Sequence, residues 1–159
     1  MPAVVHAMPW GFLLVEEQGD SLTRVQYLGP EERESSACSG ATPLLREACS
    51  QLEAYFSGRL RRFDLPLAPQ GTEFQSRVWK ELGRIGWGRT RSYGEVARAV
   101  GSPGGARAVG MACNRNPLLI VVPCHRVVGA DGSLVGFGEG LALKRRLLEL
   151  ERVLLPLEN

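Results

Sequence analysis

The chain has 159 residues, 44% hydrophobic and 23% charged, with a net charge of only +2. That make-up suits a globular protein of one medium or two small domains, with a core that needs no disulfide or metal staple. No run approaches the roughly 18–20 apolar residues of a membrane span, and the first residues lack the basic-then-apolar pattern of a secretory signal, so a cytoplasmic protein is expected.

The first part reads as β. Residues Ala3 to Met8, Phe12 to Glu16 and Leu22 to Leu28 form short apolar or alternating runs, separated by Pro9-Trp10-Gly11 and Gln18-Gly19-Asp20-Ser21, which carry turn chemistry. Residues 29–42 are polar and rich in Glu, Ser and Gly, as a surface loop would be. Pro43 opens a helix through Phe56, with Leu44, Leu45, Ala48, Leu52, Tyr55 and Phe56 at helical spacing. Asp64 to Gln70 holds two prolines, and a boundary there gives domains of 1–66 and 67–159.

The second part reads as punctuated helices. Thr72-Glu73-Phe74-Gln75 and Ser92-Tyr93-Gly94-Glu95 both match the capping box, in which side chains satisfy the unpaired amides of a helix start. The first helix runs to about Leu82 and stops at Gly83; the second runs from Tyr93 to Val100 and stops at Gly101. Ser102-Pro103 then predicts an N-cap and a third helix through about Cys113. The last two helices form a helix-turn-helix candidate whose second member is built from Gly104, Gly105, Ala106, Ala108, Gly110 and Ala112, small enough for close approach to a surface. A tight helix–helix contact is the competing explanation.

Charge divides unevenly. Residues 1–70 hold six Arg against nine acids, a net of −3, whereas residues 71–159 hold thirteen Lys or Arg against eight acids, a net of +5. Within 84–115, arginines 84, 89, 91, 98, 107 and 115 face one acid, Glu95. Such a stretch fits a nucleic-acid surface, or simply a solvated helical face.

Four cysteines (38, 49, 113 and 124) and two histidines (6 and 125) are too scattered for a zinc module, and no metal or cofactor is expected. A Cys38–Cys49 disulfide is one reading; free thiols, as a reducing compartment keeps them, is the other. The sharpest chemical signal is the apolar run from Pro117 to Val128, broken by Pro123 and then by Cys124-His125-Arg126. Positive neighbours lower a thiol's pKa and raise its thiolate fraction, which separates Cys124 from an inert packing cysteine. Near the C-terminus, Leu143, Leu147, Leu150 and Leu154 centre an apolar helical arc that Leu148 and Leu141 extend. Glu151 falls inside this arc and needs a partner, either Lys144 in the same arc or a histidine that it orients.

The string Pro123-Cys124-His125-Arg126-Val127 resembles the active-site motif of the O6-alkylguanine-DNA alkyltransferases, also called methylated-DNA–protein-cysteine methyltransferases. Arg-Ala-Val-Gly at 107–110, Asn116-Pro117 and the stretch from Gly140 through Lys144 to Glu151 follow in that family's order and spacing. The resemblance is strong over about 72–151 and holds only in outline before that.

It implies an α/β (α+β) fold with a small sheet-and-helix domain followed by a mostly helical one, and direct repair of DNA by a single, irreversible alkyl transfer from guanine O6. By the same resemblance Cys124 is the acceptor and His125 its base, Glu151 holds His125 through a bridging water, and Asn116 ties the helix-turn-helix to the active-site segment. The resemblance further implies that Tyr93 assists nucleotide rotation and proton delivery and that Arg107 enters the base stack from a recognition helix at about 104–114. Ala106, Gly110, Ser92 and Arg126 join the expected DNA contacts, and Val127, Phe137, Gly138 and Cys113 the expected substrate pocket. Phe137 stands where many relatives carry tyrosine and Gly138 where some carry serine. The implied partner is double-stranded DNA containing O6-alkylguanine, bound by a monomer.

Three rivals stand beside this reading. An alkyltransferase-like lesion sensor lacks the acceptor cysteine that is present here. A helix-turn-helix regulator leaves Cys-His-Arg and Glu151 unexplained. A Cys-His hydrolase would need an oxyanion hole, for which no signature is visible.

Overall fold

The computed structural model describes residues 1–31 and 41–155. Cys38, and with it the question of a Cys38–Cys49 disulfide, lies outside the described residues, as does most of the expected 29–42 loop. The fold is α+β, in two compact units. The first comprises Met1–Gln70 and Pro117–Val121; the second comprises Gly71–Asn116 and the chain from Val122 onward. A single cut at 66/67 therefore misses a five-residue return of the chain to the first unit.

In the first unit, β1 (Ala3–Met8), β2 (Gly11–Gln18) and β3 (Ser21–Gly29) form an antiparallel sheet in the order β1-β2-β3. Alternation on β2 puts Leu13 and Val15 in the core opposite Tyr27 and Val25. Gly11 (φ 147) lets the start of β2 approach the end of β3 closely, since a Cβ there would lie 2.1 Å from the Gly29 carbonyl oxygen. Helix α1 (Pro43–Phe56) packs on this sheet through Leu45, Ala48, Leu52 and Tyr55. Thr42 caps it by accepting the Leu45 amide. The returning segment pairs with β3: the Val25 amide donates to the Pro117 carbonyl (2.8 Å) and the Leu119 amide to the Val25 carbonyl (3.0 Å).

The second unit holds α2 (Glu73–Leu82), β4 (Arg91–Ser92), α3 (Tyr93–Ala99), α4 (Ala106–Asn114), β5 (Val127–Val128) and α5 (Leu141–Leu150), with β4 and β5 parallel. Both expected capping boxes form, Thr72 with Gln75 and Ser92 with Glu95. Between α3 and α4, Gly101 turns the chain at φ 81.

Helix α4 starts later than Ser102-Pro103 predicts. Residues 102–105 instead close a turn, with the Gly105 amide donating to the Ser102 carbonyl at 2.7 Å. Consecutive Gly104 and Gly105 weaken helix there, so the first regular turn begins at Ala106. Val109, Ala112 and Cys113 face inward. Trp79 Nε1 donates to the Ala112 carbonyl at 2.8 Å, tying α4 to α2. Leaving that buried indole N–H unpaired would cost about 1–3 kcal/mol. Helix α5 also ends early: Arg152 takes φ 61, so Leu154 does not continue the apolar arc and is exposed, and Leu141 is exposed too. Among the described residues no helix is long and apolar enough to cross a membrane.

Candidate functional site

The chemistry gathers in the second unit, where the chain re-enters from its 117–121 excursion. Asn116 Nδ2 donates to the Val122 carbonyl at 2.9 Å, closing the two ends of that excursion onto each other. Two residues later a short 3₁₀ turn, Cys124–Arg126, presents cysteine, histidine and arginine in succession, all buried. β5 follows and pairs with β4. Asn116 thus links the end of the helix-turn-helix to the segment that carries the cysteine.

Glu151, just past the end of α5, is fully buried and receives three hydrogen bonds from this turn. His125 Nε2 lies 2.7 Å from Oε2, Arg126 Nε 2.8 Å from Oε1, and Arg126 Nη2 3.0 Å from Oε2. Arg126 Nη1 also donates to the Ile85 carbonyl at 2.6 Å. Burial alone would raise the Glu151 carboxyl, but His125 and Arg126 outweigh it and hold it at about 2. Burial lowers His125 below its ordinary value despite the opposing pull of Glu151, so the ring is neutral at neutral pH. With the carboxylate accepting at Nε2, the ring proton sits there and Nδ1 carries the lone pair. Nδ1 is buried and makes no hydrogen bond among the described residues.

Three expectations change here. The Glu151–His125 contact is direct rather than bridged by water. The partner of Glu151 is not Lys144, because the helix sets these two along one face while the 3₁₀ turn supplies better donors from 25–26 residues away. Arg126, expected at the DNA surface, is instead buried here as a clamp on Glu151 and Ile85.

The thiol itself is not a resting thiolate. Burial pushes the Cys124 thiol well above the usual range, and a hydrogen bond with the Cys113 thiol adds to this; a hydrogen bond from Asn116 and the charge of Lys144 pull the other way. The activation expected from adjacent His and Arg is therefore absent at rest, since Arg126 is neutralised by Glu151 and His125 is uncharged. Cys113 is thus the immediate neighbour of the acceptor candidate rather than a distant packing residue.

Lys144, whose charge acts on the cysteine, is fully buried. Its Nζ donates to the Val127 carbonyl (2.5 Å), the Val135 carbonyl (3.0 Å) and the Tyr93 hydroxyl (3.3 Å). Burial lowers its pKa to about 8. Tyr93 Oη in turn lies 2.9 Å from both the Val135 and Gly136 carbonyls, and burial raises its pKa, so it is a proton-bearing donor. Lys144 was not among the expected site residues, although its place beside Glu151 in the apolar arc was the available signal.

Among the expected pocket residues, Phe137 has its ring centroid 5.9 Å from Lys144 Nζ, and Gly138 sits against the Asn114 carbonyl. The Val127 side chain is fully buried, and only its carbonyl meets Lys144, so it belongs to the core. Arg107 and Ala106 lie exposed at the start of α4, and Gly110 on the same helix packs near the Tyr93 ring. The Ser92 hydroxyl is engaged as the cap of α3.

Comparison with known proteins agrees in both units. Residues 5–69 match the family model described as 6-O-methylguanine DNA methyltransferase, ribonuclease-like domain, and residues 73–153 match the DNA binding domain model of the same description. A methylated-DNA--protein-cysteine methyltransferase of Mycobacterium leprae is 50% identical over 147 residues, covering 91% of this chain and 88% of the relative. One from Methanosarcina acetivorans is 58% identical over 106 residues, covering 67% of this chain and 68% of its own length. Among solved structures, Mycobacterium tuberculosis OGT in complex with DNA aligns with a TM-score of 0.85 and 46% identity over 96% of this chain and 93% of that one.

Proposed function

The chain belongs to the 6-O-methylguanine DNA methyltransferase family, and on that premise we propose that it repairs double-stranded DNA directly, moving an alkyl group from guanine O6 to Cys124 Sγ. The observation that supports this reading most strongly is the buried chain Glu151–His125 beside Cys124, with the imidazole neutral and its lone pair left at Nδ1.

The step balances as follows. The thiol proton is relayed to His125 Nδ1, and Glu151 stabilises the imidazolium that forms. As that proton leaves, Cys124 Sγ attacks the alkyl carbon, the carbon–O6 bond breaks, and the leaving guanine takes a proton from the Tyr93 hydroxyl, which Lys144 restores through Nζ. Because the thiol is held neutral at rest, deprotonation accompanies the reaction instead of preceding it, which protects a buried cysteine from indiscriminate alkylation. The product is a thioether that no described group is poised to cleave, so each molecule reacts once.

Guanine O6 is inaccessible inside a duplex, so the nucleotide must rotate out, at a cost of a few kcal/mol. Exposed Arg107 at the head of α4 is the side chain we assign to the gap, with Ala106 and Gly110 allowing the helix to approach the DNA. In this reading the protein is a cytoplasmic monomer that needs no cofactor. Replacing Cys124 by Ala tests the assignment: alkyl transfer should vanish while binding to O6-alkylguanine DNA persists. Continued loss of the lesion in this variant would place the acceptor elsewhere.

A further inference from the structure

Nine residues between α2 and α3, Gly83 to Arg91, contain three glycines and three arginines. Turns closed by the Arg84, Ile85 and Arg89 amides on the Glu81, Leu82 and Gly86 carbonyls, with Gly88 at φ 80, wrap this segment around a cavity of about 620 Å³. Arg84, Arg89, Thr90, Arg91 and Glu95 line it.

The cavity has more cations than partners for them. Glu81 serves both Arg91 (2.9 Å) and Arg84 (3.5 Å), while Glu95 Oε1 is engaged with the Ser92 amide in the cap of α3. Arg89 makes no side-chain hydrogen bond or ion pair among the described residues. The Ile85 carbonyl, a possible acceptor in the wall, is occupied by Arg126 Nη1 at 2.6 Å. That same bond ties the wall to the buried Arg126–Glu151 pair, and Gly88 rests against the Glu151 backbone. The result is a fixed wall with guanidinium donors around it and positive charge left over, a combination that suits a phosphate oxyanion far better than an apolar or cationic ligand.

We infer that this cavity is a phosphate-binding site that takes a backbone phosphate of DNA, with Arg89 as the charge that the phosphate neutralises. The site ends at the N-terminus of α3, the helix packed directly on α4. Adjacent helices lie about 8–10 Å apart, a separation that a few nucleotides of backbone cover. A strand bound at α4 can therefore place a flanking phosphate here. The inference rests on the reading that the chain binds DNA, and not on the transfer chemistry.

The test measures binding of the whole protein to undamaged duplex across a range of salt concentrations, for wild type, Arg89→Ala and Arg89→Lys. One phosphate contact contributes about 0.9 to the log–log salt slope. Arg89→Ala should flatten the slope by about that amount and Arg89→Lys should keep it, with thermal melting unchanged in both because the side chain has no partner to lose among the described residues. A slope unchanged by Arg89→Ala overturns the inference. A second arm titrates inorganic phosphate into the DNA-free protein and follows it by 31P NMR. Weak millimolar binding that Arg89→Ala removes supports a site built for phosphate within a larger ligand. Micromolar binding of free phosphate together with an unaltered DNA slope would assign the cavity to a small anion and overturn the DNA assignment. Because the duplex carries no lesion, failure here is separable from failure of Cys124 to accept an alkyl group.

Discussion

Glu151 Oε2 faces His125 Nε2 at 2.7 Å, and this contact decides which imidazole nitrogen is the base. With the proton held toward the carboxylate, Nδ1 is left, in the proposed reaction, to receive the proton from Cys124. Glu151→Gln keeps the shape but frees the tautomer and leaves Arg126 buried without its counter-charge. Transfer should slow by about 100-fold or more, as expected when a base loses the group that orients it. Stability should fall by about 3–5 kcal/mol, the usual cost of breaking a buried pair. Single-turnover kinetics and denaturant unfolding check the two effects separately; lost stability with an unchanged rate would make Glu151 a purely structural residue.

The same carboxylate sets the behaviour in acid. Glu151 is held at about 2 in the folded protein against an ordinary value of 4.5. A depressed carboxyl contributes stability that is fully present above its unfolded value and lost as pH falls toward its folded one. Its contribution, on the order of 3 kcal/mol, should therefore disappear between about pH 4.5 and 2. His125, lowered by burial, acts in the same direction, since the fold resists its protonation as pH drops below the ordinary value of 6.5. Unfolding free energy measured against pH should decline through this acid range in wild type and be flatter below pH 4.5 in Glu151→Gln.

Lys144 predicts the alkaline limb. Its ammonium, with a pKa of about 8, lowers the Cys124 thiol and donates to the Tyr93 hydroxyl. The transfer rate should rise through the lowered pKa of His125, level off near neutrality and fall above about pH 8 as Lys144 loses its charge. Lys144→Met should lower the plateau by about tenfold or more and abolish the upper limb. An upper limb that survives in the variant would have to come from another group.

Arg107 is exposed and distant in role from the proton path, so Arg107→Ala should leave melting and reaction with the free alkylated base unchanged. Reaction with duplex DNA should slow sharply, because nothing then fills the space of the rotated nucleotide. Equal slowing on both substrates would assign Arg107 to folding.

Much of this architecture is legible in the sequence. The capping boxes at Thr72 and Ser92 are local devices whose partners lie three residues away, and both formed. Glu151 stood out because a carboxylate on an apolar stripe demands a partner. Its histidine partner is named through the family resemblance, but its second partner is not legible, since Arg126 lies 25 residues away and charged residues read by default as surface. Lys144 is visible in the same arc, but its partners Tyr93, Val127 and Val135 come from other segments and are not. The thiol's protonation state differs from the sequence expectation because proximity to His and Arg along the chain says nothing of burial, and burial is the largest influence on Cys124. The return of Pro117–Val121 to the first unit depends on backbone pairing with Val25, for which an apolar run gives no address.

The central claim is that Cys124 is consumed, and stoichiometry tests it most directly. With excess O6-methylguanine duplex, lesion loss should stop at one equivalent per active molecule. The spent protein should be heavier by one methyl group, located by peptide mass spectrometry on Cys124 and not on the neighbouring Cys113. Turnover beyond one equivalent with an unchanged protein mass would contradict the account.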